Sequence, residues 1–178
     1  MKRWLILIGA GILLGGALAA WAATDAAKLK INTPGLVIQV DMGGRKVAIP
    51  PLKEVPVGNR TLETKGYQLY GQGKDTKGRP AIWRLDGRKP FGDLEKITVS
   101  GPDVTLVEAG APLTVMTPAR ISAKNGKKTL TVGLYFIGKA KEHYSTVVYM
   151  GRIRAPSPKI AILDESGKVL NTGSYEYG

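Results

Sequence analysis

The chain has 178 residues, with 26 Lys and Arg against 14 Asp and Glu, one His, no Cys and a formal net charge of +12. Without cysteine it can have no disulfides, no thiol nucleophile and no lipid attached through a thiol, and with one histidine a zinc site lacks ligands. At 43% hydrophobic residues the composition is that of a globular domain, despite 23 Gly and 11 Pro.

The chain opens on Met1-Lys2-Arg3, followed by an uncharged apolar run from Trp4 to Ala23 that ends in small residues. Ala20-Trp21-Ala22 is a small-x-small site that a signal peptidase accepts, so residues 1–23 read as a secretory signal peptide. The rival reading is a retained membrane anchor, since about 20 apolar residues suffice to span a bilayer. The strongly apolar part is only Leu5 to Leu14, which favours processing. Either way, Lys2 and Arg3 stay inside and the body is exported, to the periplasm, the cell surface or the medium. Losing those two residues leaves the body with 24 basic and 14 acidic side chains, a net of +10.

After the signal, strand patterns recur at short intervals. Leu36 to Val40 and Lys46 to Ile49 flank Gly43-Gly44, a tight hairpin turn. Pro50, Pro51 and Pro56 then predict an extended crossing without regular pairing over residues 50–60. Tyr67 to Tyr70 and Ala81 to Leu85 predict a second hairpin with a long tip, Gly71 to Arg79. Leu94 to Val99 and Val104 to Val107 are separated by the turn-forming Ser100-Gly101-Pro102-Asp103. Ala119 to Lys124 and Lys128 to Ile137 are joined by Asn125-Gly126, which suits a type I′ turn because both residues tolerate positive φ. Tyr144 to Met150 is a β-branched and aromatic run. Ile160 to Leu163 and Lys168 to Leu170 form a hairpin about Asp164-Glu165-Ser166-Gly167, and the alternation in Ser174 to Tyr177 puts both tyrosines on one face.

About eleven short strands with this punctuation predict an all-β, antiparallel, Ig-like β-sandwich behind an N-terminal signal or anchor helix. The organisation expected is residues 1–23 as signal or anchor, 24–60 as an N-terminal hairpin and Pro-rich crossing, and 61–178 as the sandwich body. Pro158 to Leu170, with Gly173 to Tyr177, resembles the closing hairpins of secreted bacterial Ig-like and carboxypeptidase-regulatory-like sandwiches. That resemblance covers about twenty residues, has no catalytic motif and implies an adhesion, scaffold or accessory module by analogy.

Catalytic chemistry finds little to work with. His143 lies in the polar stretch Lys139 to Tyr144 and reads as an exposed loop residue, and no serine sits in a Gly-x-Ser-x-Gly elbow. Gly71-Gln72-Gly73-Lys74-Asp75-Thr76 departs from a phosphate-binding loop at Asp75 and enters no helix. Asp164-Glu165-Ser166 and Asp93-x-Glu95 lack the spacing of a calcium loop. The expectation is therefore a protein without enzymatic activity, metal or cofactor. An envelope enzyme acting on polysaccharide is the alternative, because a pair of glycosidase carboxylates meets only in the fold. A membrane-tethered subunit of an envelope complex is a third reading.

Charge is the feature that carries function. From Arg120 to Arg154 there are eight basic residues and one acid, Glu142. Lys124, Lys127, Lys128, Lys139, Lys141, Arg152 and Arg154 are the candidate ligand-binding set for an anion. Lys124, Lys127 and Lys128 cluster at a hairpin tip, and Arg152 and Arg154, two apart on a strand, should share a face. Outside the cytoplasm the matching partners are acidic polysaccharide, an anionic lipid surface or an envelope protein. Few aromatics interleave the basic residues, which argues against nucleic acid.

Overall fold

The computed structural model describes residues 26–176; residues 1–23, for which a signal or anchor is expected, and Tyr177 lie outside them. Within that range the chain is all-β, in several sheets that are mainly antiparallel. No helix among the described residues is long and apolar enough to cross a membrane.

Sixteen strands run in chain order: β1 Lys28–Ile31, β2 Leu36–Met42, β3 Arg45–Ile49, β4 Glu54–Pro56, β5 Arg60–Lys74, β6 Pro80–Arg88, β7 Lys96–Val99 and β8 Val104–Val107 in the first half. The second half has β9 Thr114–Met116, β10 Ala119–Lys124, β11 Lys127–Val132, β12 Tyr135–Ile137, β13 His143–Met150, β14 Ile153–Arg154, β15 Lys159–Leu163 and β16 Val169–Ser174. The large sheet has the order β3-β2-β5-β6-β13-β12-β9, with β14 beside β13 and β7 beside β5. A small sheet has the order β4-β1-β8. The pairs β10-β11 and β15-β16 each form a separate hairpin.

Alternation decides which side chains enter the core. In β2, Leu36, Ile38 and Val40 are fully buried while the residues between them are not, the two-residue period of a half-buried strand. Leu29 and Ile31 of β1, Leu62 and Leu69 of β5, Val99 of β7 and Val107 of β8 join them, so both sheets contribute to one hydrophobic cluster. Each fully buried aliphatic side chain of this kind stabilises the fold by about 1.5–3 kcal/mol. Residues 27–57 share that cluster with residues beyond 60 through the β2–β5 pairing. At its far end, Tyr67 meets Phe91 and Tyr144 edge to face, with ring centroids 5.3 and 5.2 Å apart.

The turns obey their local chemistry. Gly43 and Gly44 both have positive φ, as do Asn125 and Gly126, the requirement of a two-residue type I′ hairpin. Other expectations need correction. Residues 54–56 do pair, with β1, because β4 is a sheet edge where Pro56 need not donate. The long tip expected over 71–79 shrinks to 75–79: pairing runs out to Lys74 and Pro80, and the Asp75 carboxylate closes the turn by accepting from the Lys77 and Arg79 amides. Strands β7 and β8, on either side of the Ser100–Asp103 turn, take different partners. The first joins β5 and the second lies parallel to β1, with Lys28 opposite Val104.

Candidate functional site

The seven predicted basic residues fall into three places. Lys124 and Lys127 face each other across the Asn125-Gly126 turn, with Lys128 next to them, all exposed at the tip of the β10–β11 arm. In register, Ile121 lies opposite Leu130 and Ala119 opposite Val132, which collects the apolar residues on one face of the arm. Arg120, Ser122, Lys124, Lys127, Thr129 and Thr131 occupy the other face. That arm holds no acidic residue, and none of its four cations forms an ion pair among the described residues.

Lys139 and Lys141 sit elsewhere, in the turn entering β13, and each has an acidic neighbour. Lys139 lies 3.7 Å from Glu108 and Lys141 3.9 Å from Asp93. Arg152 and Arg154 lie beyond the other end of β13, whose eight residues span about 25 Å. The set therefore does not converge on one end of the molecule. The shared face expected for Arg152 and Arg154 is also corrected, because Gly151-Arg152 is the two-residue turn between β13 and β14. Gly151 takes φ 63° at the first central position, so only Arg154 stands on a strand.

His143 is not a loop residue either. It opens β13, half-buried, with its ring edge-on to Tyr135 at 6.4 Å, and among the described residues its imidazole makes no hydrogen bond. The unexpected group is its neighbour. Glu142 is completely buried, and its carboxylate accepts from the Gly110 amide at 2.5 Å, the Ala140 amide at 2.9 Å and the Tyr144 hydroxyl at 3.0 Å. The two amides come from separate loops, so the carboxylate ties the 108–112 segment to the β12–β13 turn. Gly138 has no room for a Cβ because the same carboxylate fills that space. Burial and the Glu142 charge push the Tyr144 hydroxyl far above the usual phenol range.

A second set of side chains lies on the outward face of the large sheet. Tyr70 of β5 is opposite Arg84 of β6, Arg84 is opposite Tyr149 of β13, and Tyr149 is opposite Arg154 of β14. Aromatic and guanidinium groups thus alternate across four strands. Arg84 lies over the Tyr149 ring, 4.5 Å from its centroid, and its Nη2 donates to Asp86 Oδ2 at 3.2 Å. Gln68 donates to Asp86 Oδ1 at 2.8 Å and accepts from the Tyr70 hydroxyl at 2.8 Å. The sequence reading includes only Arg154 of this row. Alternation in Ile82-Trp83-Arg84-Leu85-Asp86 does place Arg84 and Asp86 on one face, but the partners Tyr70 and Tyr149 become visible only with the register.

Among the described residues no three His, Asp or Glu side chains gather as metal ligands. Asp164 spends its carboxylate on the β15–β16 turn, accepting from the Ser166 hydroxyl and from the Ser166 and Lys168 amides. Those bonds, the hydroxyl's first, hold its carboxyl below the usual range. The grooves are shallow and open. One lies between the two hairpins, lined by Leu130, Val132, Ile160, Ile162 and Tyr175, and has no ionisable group but the tyrosine. Compared with models of protein families, with curated proteins and with solved structures, the chain matches none.

Proposed function

We propose that the chain is an exported, non-enzymatic β-sandwich of Ig-like type that binds an anionic polymer or surface at the cell envelope. Export rests on Lys2-Arg3 and the apolar run behind them. The sandwich reading is supported by the small and large sheets burying Leu29, Ile31, Val107, Leu36, Ile38 and Leu62 in one cluster. The observation that carries the binding function is the β10–β11 arm, with Arg120, Lys124, Lys127 and Lys128 exposed and unopposed. A two-stranded arm of such low burial contributes little to the core, and its unopposed cations raise the local concentration of polyanions by screened attraction.

The test is retention of the purified protein on immobilised dextran sulfate across a salt series. Wild-type protein elutes late, and replacing Lys124, Lys127 and Lys128 together by Gln lowers the log–log salt slope by about 2–3, as expected when three cations no longer release counterions. Absence of retention, or a variant that elutes with wild type, overturns the proposal. A reproducible hydrolase or transferase activity overturns its non-enzymatic part.

A further inference from the structure

The alternating row on the large sheet has the chemistry of a sugar platform, and it is separate from the lysine arm. We propose that Tyr70, Arg84, Tyr149 and Arg154, with Gln68 and Asp86, bind an acidic polysaccharide chain whose carboxylates are spaced along it. The inference deepens the anionic-binding reading above by naming a ligand class and a second surface for it.

Four observations lead there. The row crosses four adjacent strands, so it is about 14 Å long, and it lies on an outward sheet face rather than in a cavity. A flat strip of that length suits an extended polymer, whereas a small ligand needs a concave site. Tyr70 and Tyr149 stand two strands apart, about 10 Å, the span of two linked hexose rings. The electron-rich face of a tyrosine meets the weakly positive C–H bonds of a pyranose favourably.

The polar members are already held in place. Tyr70 hydroxyl, Gln68 amide, Asp86 carboxylate and Arg84 guanidinium form one hydrogen-bonded chain, and Arg84 lies over the Tyr149 ring. Ordering these side chains therefore costs little on binding. Planar amide, carboxylate and guanidinium groups offer paired donors and acceptors of the kind that vicinal sugar hydroxyls match.

Charge selects the kind of sugar. Asp86 offsets Arg84, while Arg154, exposed at the end of the row, forms no ion pair among the described residues. The strip thus carries one uncompensated guanidinium, which can take a carboxylate in the bidentate geometry that lysine cannot supply. A densely charged polymer would set anions against Asp86. A chain with a carboxylate on alternate sugars would not.

Binding of the full chain to hyaluronate, dextran sulfate and neutral dextran at physiological ionic strength tests this. Hyaluronate binds and neutral dextran does not. Arg154→Gln and Tyr70→Ala, with melting curves recorded alongside to show that each variant is folded, each weaken hyaluronate binding about tenfold. Dextran sulfate binding is untouched by either. The triple lysine-to-glutamine variant of the arm shows the converse: it loses dextran sulfate and keeps the hyaluronate preference of the row. If wild-type protein binds dextran sulfate but not hyaluronate, or the row variants bind hyaluronate as wild type does, the platform is wrong while the anionic-binding reading stands. If neither polymer binds, both fall.

Discussion

Glu142 accepts a hydrogen bond from the hydroxyl of Tyr144, two residues along the same chain, while both side chains are shut off from solvent. Residues two apart on a regular strand would only share a face. Here Glu142 stands just before β13, and the Gly138–Lys141 turn wraps its carboxylate. Gly138 accommodates it by lacking a side chain, and Lys141 takes φ 59° as the chain turns back. Buried charge is tolerated because two amides and a phenol solvate it in place of water.

Replacing Glu142 with Ala leaves the Gly110 and Ala140 amides and the Tyr144 hydroxyl without their acceptor. The expected loss is about 3 kcal/mol or more, read as a lower midpoint in urea with an unchanged slope. Glu142→Gln keeps the shape but turns donors toward a donor, and should lie between the two. A midpoint within experimental error of wild type for the alanine variant would show that the carboxylate is not what joins the two loops.

Alkaline stability follows from the buried phenols. The Tyr67 and Tyr144 hydroxyls are held above their ordinary range, by burial first and then by the Glu142 charge. In the unfolded chain both ionise near the ordinary value of about 10, so above that pH the unfolded state has lost protons that the folded state still holds. The phenols' contribution is therefore constant below pH 10 and falls above it, with a slope that approaches about 1.4 kcal/mol per pH unit for each phenol. Tyr144→Phe should remove one phenol's share of the slope. An equal slope in that variant would locate the alkaline sensitivity elsewhere.

Two glycines of adjacent strands make opposite predictions. A Cβ at Gly87 would enter the ring of Tyr67, whereas at Gly71 it would meet nothing within 4 Å. Gly87→Ala should cost about 1–3 kcal/mol by forcing the Tyr67 ring away from Tyr144, and Gly71→Ala should be neutral or stabilising by about 0.5 kcal/mol. Thermal melts of the two variants side by side decide the matter, and equal shifts would contradict the packing of that ring.

Backbone amides of β10 and β11 should exchange with solvent before those of β2 and the first half of β5. Every β10 residue is exposed, whereas β2 buries three of its seven side chains completely. Local opening needs least free energy where few apolar contacts are lost. Hydrogen exchange followed by mass spectrometry reads this directly, and simultaneous exchange of arm and core would mean that the two open as one unit.

Much of the strand content was legible because it is written locally. Leu36 to Val40 alternates, and Gly43-Gly44 and Asn125-Gly126 carry their turn types in two residues each. Partnership was not legible, since it is decided by which apolar faces meet. Nothing in Val104 to Val107 says that it will lie parallel to Lys28–Ile31 rather than fold back on Lys96–Val99. The same limit applied to the surface: the lysine tip could be read from five consecutive residues, Lys124 to Lys128, while Tyr70, Arg84 and Tyr149 come from three strands and align only through register. Glu142 misled for another reason. A lone acid in Lys139-Ala140-Lys141-Glu142-His143 has the composition of a solvated loop, and its burial is set by amides of Gly110 and Ala140 that any residue could supply.

The pairing of β1 with β8 also orders events in time. Thr33 reaches the carbonyl of Ala109 across a separation of 76 residues, and the backbone ladder beside it spans the same distance. A chain that has emerged only as far as residue 100 has β4 to lay beside Leu29 on one edge of β1, but the other edge waits for more than half of the polypeptide. Non-local closure of this kind places folding in the millisecond-to-second range rather than the microseconds of local hairpins. Until Val107 arrives, the small sheet is a two-stranded ribbon with one edge of β1 open, so its closure is a late event set by chain length rather than by local propensity.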